Sequence, residues 1–326
     1  MPTIEPDLHR SMSSKLTHVV VGVIENDHGE VLIAKRPAHV HQGGLWEFPG
    51  GKLERGETPF SALQRELQEE VAIQLEAVTP LIQIPYHYPE KSVLLDVMRV
   101  SDFHGDAAGL EGQTIRWVSK ARLIDYTFPS ANRSIMQALQ LPDCYLITGD
   151  FQDKNAFLAK LGKALERGIQ LVQLRAKQLN EHEFAELVYA AKRLCQAYQA
   201  RLLINSTPER AIEYKVDGIH LTSKRLMRCS GRPLAEDKLV AASVHNRKEL
   251  AQAMRVGVDF IVIAPVLPTM SHPAAASLGW DGLQQLIEQA DVPVYALGGV
   301  TKGHLSQARE CGAQGIAAIR SLWEDT

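Results

Sequence analysis

The chain has 326 residues, 22% of them charged and 45% hydrophobic, with a formal net charge of −3 at pH 7. That is enough chain for about two domains with their own cores, and the near-neutral balance without a long basic run argues against bulk nucleic-acid or membrane binding. Four scattered cysteines, Cys144, Cys195, Cys229 and Cys311, predict neither a disulfide framework nor a zinc site; no apolar run reaches the roughly 18 residues of a membrane span, and the cytoplasm is the expected compartment.

Residues 1–15 read as a polar lead-in without the apolar core of a signal peptide. Thr17 to Ile24 is β-branched and predicts a strand, Asn26 to Gly29 a turn, and Val31 to Arg36 a returning strand, together a hairpin. In the next loop His39 and His41 stand at i, i+2 with no soft ligand nearby, so no metal role is assigned to them. Gly50, Gly51 and Gly56 then form a loop that lets a phosphate or metal approach the main chain. It feeds a helix with Thr58 as N-cap and Pro59 in the first turn. Leu63, Leu67 and Val71 make its buried stripe, while Glu66, Glu69 and Glu70 share another face. Like charges about 5 Å apart repel by roughly 3 kcal/mol at an effective dielectric near 20, so the triplet is unfavourable without a cation. The alternative is a solvated acidic face. Oxygen donors select Mg²⁺, with Mn²⁺ as second choice. Strands at Leu81 to Pro85, Ser92 to Val100 and Ile115 to Val118, then a helix from Phe128 to Leu139, complete a small α+β sandwich.

The loop and helix resemble the Nudix box, G-x5-E-x7-R-E-U-x-E-E-x-G-U with U aliphatic. Gly51, Glu57, Arg65, Glu66, Leu67, Glu69, Glu70 and Ile73 match, and Ala72 stands where the family has Gly. At a helix C-terminus that departure costs some ease of chain reversal. The resemblance is narrower toward the MutT type, which hydrolyses oxidised guanine triphosphates: Lys35 to Pro37, Glu111 to Gln113 and Phe128 to Asn132 match its landmarks. It implies metal ligation by Glu66, Glu69, Glu70 and the Gly50 carbonyl. Glu69 or Glu111 would direct the attacking water, Arg65 would place the glutamates, Glu57 would fix the loop, Arg36 would lie against the nucleotide, and Asn132 would read the purine edge.

Beyond Leu141 to Asp143, read as the linker, the pattern changes. Short apolar strands at Cys144 to Thr148, Leu171 to Arg175, Arg201 to Asn205, Gly218 to Leu221, Leu239 to Val244, Phe260 to Ile263, Pro293 to Leu297 and Gly315 to Ile319 alternate with helices, which predicts a parallel (β/α)8 TIM barrel. The expected units are therefore residues 15–140 and 143–326. Sites in such barrels lie at strand C-terminal ends, so Gln173, Arg175, Lys177, Asn205, His220, Ser243, His245, Gly298 and Gly299 are the candidates. Arg175 and Lys177 suit a phosphate, and the Gly298–Gly299 pair suits a backbone cradle for one.

This half resembles thiamine-phosphate synthase and the related thiazole tautomerases through Tyr145 to Thr148, Gln173 to Lys177, Leu203 to Asn205, Asp217 to Leu221, Ala242 to His245, Ala264 to Thr269 and Ala296 to Val300. Both magnesium-ligating aspartates of that family are missing: L-I-N-D-R reads Leu203 to Thr207 with Ser206 at the Asp position, and the second falls within Thr222 to Arg225. The T-x-T-K run reads Thr269 to His272, without its lysine.

The expected activity is Mg²⁺-dependent hydrolysis of a nucleoside triphosphate, 8-oxo-dGTP above all, to the monophosphate and pyrophosphate, serving nucleotide-pool sanitation, with a catalytically degenerate barrel. The alternatives are a thiamine-related pyrophosphate as substrate, or a barrel that keeps metal-free acid–base chemistry at His245 or a regulatory ligand. The expected partners are a small nucleotide and a phosphorylated barrel ligand, with no nucleic acid or membrane, and no motif sets an oligomeric state.

Overall fold

The computed structural model describes residues 16–40, 42–88, 92–269 and 276–324. The polar lead-in 1–15, His41, and Met270 to His272 of the run that departs from the synthase pattern lie outside the described residues. In chain order the first half holds β1 (Thr17–Ile24), β2 (Glu30–Lys35), β3 (Trp46–Glu47), β4 (Gly50–Lys52), α1 (Pro59–Val71), β5 (Gln74–His87), β6 (Ser92–His104), β7 (Ile115–Ser119), a 3-10 segment (Lys120–Asp125) and α2 (Asn132–Gln140).

β1 and β2 do not form the expected hairpin. β1 lies inside a sheet ordered β4-β1-β6-β5, parallel to β6 and antiparallel to β4, whereas β2 joins β3 and β7 in a second sheet. The turn itself forms, with the Gly29 N–H donating to the Asn26 carbonyl at 2.9 Å, but an isolated bridge between Glu25 and Val31 is all that remains of the hairpin pairing. The reason is burial on both faces. Val20 and Ile24 pack with Leu63, Leu67 and Val71 of α1, while Val21 and Val23 pack with Ile135, Ala138 and Leu139 of α2. A strand covered on both sides reads as one apolar run and belongs at a sheet centre.

α1 starts where the capping residues put it: the Thr58 hydroxyl accepts from the Ser61 N–H at 3.2 Å and Ser61 Oγ accepts from the Thr58 N–H at 2.9 Å. It ends on Ala72, whose φ of 60° is left-handed, so the family glycine position keeps its glycine conformation without its glycine. α2 begins at Asn132, four residues later than expected. Pro129 disfavours helical geometry at Phe128, which instead stacks on Phe48 with ring centroids 5.5 Å apart.

The second half alternates β8 (Cys144–Ile147), α3 (Lys154–Glu166), β9 (Leu171–Leu174), α4 (Glu181–Ala197), β10 (Arg201–Ile204), α5 (Pro208–Tyr214), β11 (Gly218–Leu221), α6 (Ser223–Leu226), β12 (Leu239–Val244), α7 (Arg247–Val256), β13 (Phe260–Ile263), α8 (Gly279–Ile287), β14 (Val294–Ala296), a 3-10 turn (Lys302–His304), α9 (Leu305–Glu310), β15 (Gly315–Ala318) and α10 (Arg320–Trp323). The eight strands β8 to β15 close into a parallel barrel, as expected. Tyr145, Leu171, Leu203, Phe260, Val262 and Tyr295 fill its interior, and alternate residues such as Leu146, Val172 and Leu202 face the helices.

The segment read as a linker is built into the barrel floor. Leu141 is buried against the interior cluster of Tyr145 and Tyr295, the Tyr295 hydroxyl donates to the Pro142 carbonyl, and the Asp143 carbonyl accepts from the Ile316 N–H at 3.0 Å. No helix among the described residues is long and apolar enough to cross a membrane.

Candidate active site

The acidic face of α1 lies over β4, where Gly50 lets the strand close on β1 and Gly51 leaves room for Glu66. A Cβ on Gly50 would stand 2.2 Å from the Val20 carbonyl oxygen, and one on Gly51 would stand 2.1 Å from the Glu66 carboxyl carbon. In their absence the Gly50 N–H donates to Glu70 Oε2 at 3.1 Å. Arg65 organises the other side. Its Nε and Nη2 donate to the two Glu57 oxygens at 2.8 and 2.9 Å, Nη1 donates to Glu66 Oε1 at 2.8 Å, and Nη2 also reaches the Lys52 carbonyl at 3.1 Å. The Arg65 bonds, with the Glu54 N–H, hold the Glu57 carboxyl down at about 2. Arg65 and Glu57 are thus arranged to place Glu66 and the loop.

Burial pushes the Glu70 carboxyl up to about 8, against the Gly50 hydrogen bond, and the charges of Glu47, Glu66 and Glu111 add to the rise. Glu69 faces outward, with 64% of its side chain exposed, and its nearest cation is Arg65 Nη1 at 3.9 Å. Glu111 stands on an exposed loop, anchored where Gln113 donates to the Glu70 carbonyl at 2.8 Å. As they stand, no three His, Cys, Asp or Glu side chains among the described residues converge as ligands. The donor chemistry nonetheless fits a hard divalent cation: Glu66 fills the space that a Cβ on Gly51 would take, Glu70 accepts from the Gly50 N–H beside it, and the mutual repulsion of the two carboxylates is what such an ion would relieve.

A cavity of about 240 Å³ opens from this platform and is lined by Arg36, Glu47, Phe48, Gly50, Tyr88 and Asn132. The structure therefore brings Arg36 and Asn132 to the glycine end of the box, although the chain separates them by almost a hundred residues. Asn132, 8% exposed, holds its position through its N–H to the Pro129 carbonyl at 2.9 Å. The sequence motifs contain Glu47, in the segment Glu47 to Gly50 that flanks the box, and Gln113, in the Glu111 to Gln113 match, but assign neither a role. Glu47 pairs with Arg36, and burial, opposed by Arg36, raises its pKa. The signal available for it was its place just before the glycines, next to Phe48.

At the barrel mouth the predicted residues divide between two cavities. One, about 610 Å³, is lined by Arg175, Lys177, Arg210, Lys224, Arg225 and Arg228, with Glu181 as its carboxylate. The other, about 530 Å³ and largely apolar, is lined by His245, Pro265, Gly298, Gly299, Thr301 and Ser321. Arg175 and Lys177 thus share no cavity with Gly298 and Gly299. The two glycines have φ of 98° and 67°, and a Cβ on either would strike Pro265 or the Pro268 carbonyl, within 2.8 Å; packing against that loop accounts for them. Asn205 accepts from Arg225 Nη1 at 2.9 Å. His245 Nδ1 lies 2.8 Å from Glu249 Oε2. Gln173 and His220 are interior residues, 2% exposed, and His220 is shared between the Tyr145 hydroxyl at 3.1 Å and the Ser243 hydroxyl at 2.8 Å, so it belongs to the core and not to the mouth.

A family model described as NUDIX domain matches residues 20–138, and one described as thiamine monophosphate synthase matches residues 144–322. The 8-oxo-dGTP diphosphatase of Escherichia coli (strain K12) is 37% identical over 126 residues, 39% of this chain and 98% of its own. The thiamine-phosphate synthase of Methanobrevibacter smithii is 30% identical over 181 residues, 55% of this chain and 87% of its own. A solved structure from work on MutT of Aliivibrio salmonicida and Vibrio cholerae is 39% identical, covering 38% of this chain and 97% of its own with a TM-score of 0.35. The chain belongs to two families at once: its first half is a NUDIX domain, a hydrolase of phosphoric anhydrides, and its second half a thiamine monophosphate synthase barrel.

Proposed function

We propose that the first half hydrolyses an oxidised purine nucleoside triphosphate, 8-oxo-dGTP or a close relative, to the monophosphate and pyrophosphate. The observation that carries this is the single cavity joining Asn132 and Arg36 to the Gly50–Gly51 end of the acidic helix. A base stacked near Phe48 and Tyr88 would present its polar edge to the Asn132 amide, which both donates and accepts. The triphosphate then runs toward Glu66 and Glu70, with Arg36 beside it. Glu66, Glu69, Glu70 and the Gly50 carbonyl would hold a divalent cation, Mg²⁺ by preference, which when bound neutralises charge on the phosphates. Arg65 keeps Glu66 aimed at the site. Glu69 and Glu111 both reach solvent and are the carboxylates available to take the proton of the attacking water. A panel of nucleoside triphosphates, 8-oxo-dGTP and thiamine pyrophosphates, assayed for pyrophosphate and phosphate release, tests the reading. A thiamine pyrophosphate preferred over every purine would replace it.

For the barrel we infer loss of the synthase reaction with retention of anion binding. Its mouth has a serine and an arginine where the family places metal-ligating carboxylates: Ser206 is a weak ligand, and Arg225 repels a cation. Among the described residues no carboxylate pairs with Arg175, Lys177, Lys224 or Arg228, so the cavity of about 610 Å³ is charged for a phosphorylated ligand. We further take residues 15–140 and 143–326 as the two functional units.

A further inference from the structure

The barrel has a second working face, opposite its mouth. Asp259 and Gln314 immediately precede β13 and β15, Asp291 lies three residues before β14, and Arg201 opens β10, so all four stand at the N-terminal rim of the barrel. Each is bonded to α2. Gln314 Nε2 donates to the Ala138 and Leu141 carbonyls at 3.1 and 2.9 Å and so terminates the helix from the barrel side. Arg201 Nη2 donates to the Gln140 carbonyl, Gln137 Nε2 donates to Asp259 Oδ1 at 3.1 Å, and the Ser134 hydroxyl donates to the Asp291 carbonyl. Asp259 is itself fixed by Arg232 and the Val240 N–H, both at 2.7 Å. The Gln314 side chain is 1% exposed and its Oε1 has no partner, so the carbonyls of α2 alone set its amide orientation.

The other face of α2 packs into the NUDIX core through Ile135, Ala138 and Leu139. A helix of this length has little stability of its own in water, so its position comes from what grips it. The residue that opens it is Asn132. We propose that the barrel's N-terminal rim is the seat of α2 and thereby holds Asn132 in the nucleotide cavity, with Ser134, Gln137 and Gln314 as positioning residues for base recognition. This rests on the purine reading above. It gives the barrel a part in the hydrolase that is independent of any ligand at its mouth.

The test uses the full chain with Gln314→Leu, Ser134→Ala and Gln137→Ala, the last at a half-buried polar side chain outside both hydrophobic clusters. KM and kcat are measured for a purine and a pyrimidine triphosphate, and amide hydrogen exchange is followed over residues 132–140. The expected result is faster exchange in α2, a purine KM raised about three- to tenfold with kcat and the pyrimidine KM unchanged, and no further rise when Gln314→Leu is added to Asn132→Ala. Unchanged exchange in all three variants overturns the seat, and faster exchange with an unchanged purine KM overturns the positioning role. Additive effects of Asn132→Ala and Gln314→Leu overturn it as well. If Asn132→Ala itself leaves the purine KM unchanged, the purine reading has failed, and exchange alone decides the seat.

Discussion

Arg65 and Glu57 form a two-point ion pair, Nε to Oε1 at 2.8 Å and Nη2 to Oε2 at 2.9 Å, while the remaining nitrogen of the guanidinium holds Glu66. Only a planar fork does both at once. Arg65→Lys keeps the charge and loses the fork, and we expect about 10- to 100-fold lower activity together with a higher Mg²⁺ requirement. Circular dichroism should show the fold retained. Full activity at limiting Mg²⁺ would make the pair ornamental to the site.

Glu66→Gln and Glu70→Gln each remove one anionic donor beside Gly50 and Gly51. Most of the activity should disappear in both. Glu70→Gln should not lower thermal stability, because it relieves a buried carboxyl whose pKa burial has already pushed up to about 8. Wild-type turnover of both variants at saturating Mg²⁺ would remove these residues from the metal site.

Ala72 holds a φ of 60° at the end of α1. An alanine there carries a steric cost that glycine does not, on the order of 1 kcal/mol. Ala72→Gly should therefore stabilise the protein by up to about 0.5 kcal/mol in urea unfolding, after the greater backbone entropy of glycine is deducted. No gain would mean that the surrounding loop already absorbs the strain.

Burial lowers the His220 pKa to about 3, from an ordinary 6.5. The folded barrel keeps the ring neutral over the window in which the unfolded chain binds its proton. The stability contribution is therefore intact above pH 6.5 and declines as pH falls from 6.5 toward 3, by up to about 1.4 kcal/mol per pH unit. His220→Gln, which keeps partners for Tyr145 and Ser243, should flatten that part of the stability profile. Identical slopes in the two proteins would show that His220 titrates normally.

At the barrel mouth, the full chain should fail to condense the pyrimidine pyrophosphate with thiazole phosphate and yet bind inorganic pyrophosphate in the presence of EDTA. Calorimetry should show that Arg225→Ala weakens this binding about tenfold, while Glu70→Gln leaves it unchanged, which assigns the heat to the barrel. Measurable condensation would restore the synthase activity, and binding that needs Mg²⁺ would contradict a cationic site.

Sequence alone determined what depends on local spacing. Gly51, Glu57, Arg65, Glu66, Glu69 and Glu70 lie within one loop and helix, so their order along the chain is already their geometry. The strand and helix alternation after residue 143 likewise determined the barrel, since short parallel strands joined by helices have few other ways to close. Tertiary structure decided what depends on contacts far apart in the chain. β1 abandoned β2 for β4 and β6 because both of its faces are apolar, and alternation in sequence cannot name a partner for such a strand. Glu47 joined the acidic site, and His220 left the barrel mouth for its core, because burial belongs to the packed fold and not to residue type. Arg175 and Gly298, both phosphate candidates by residue type, went to different cavities because their strands, β9 and β14, are separated around the barrel by β8 and β15. The seat of α2 on the barrel rim has no motif at all: Gln314 and Ala138 meet across 176 residues, and only the closed packing of both halves puts donor and carbonyl within reach.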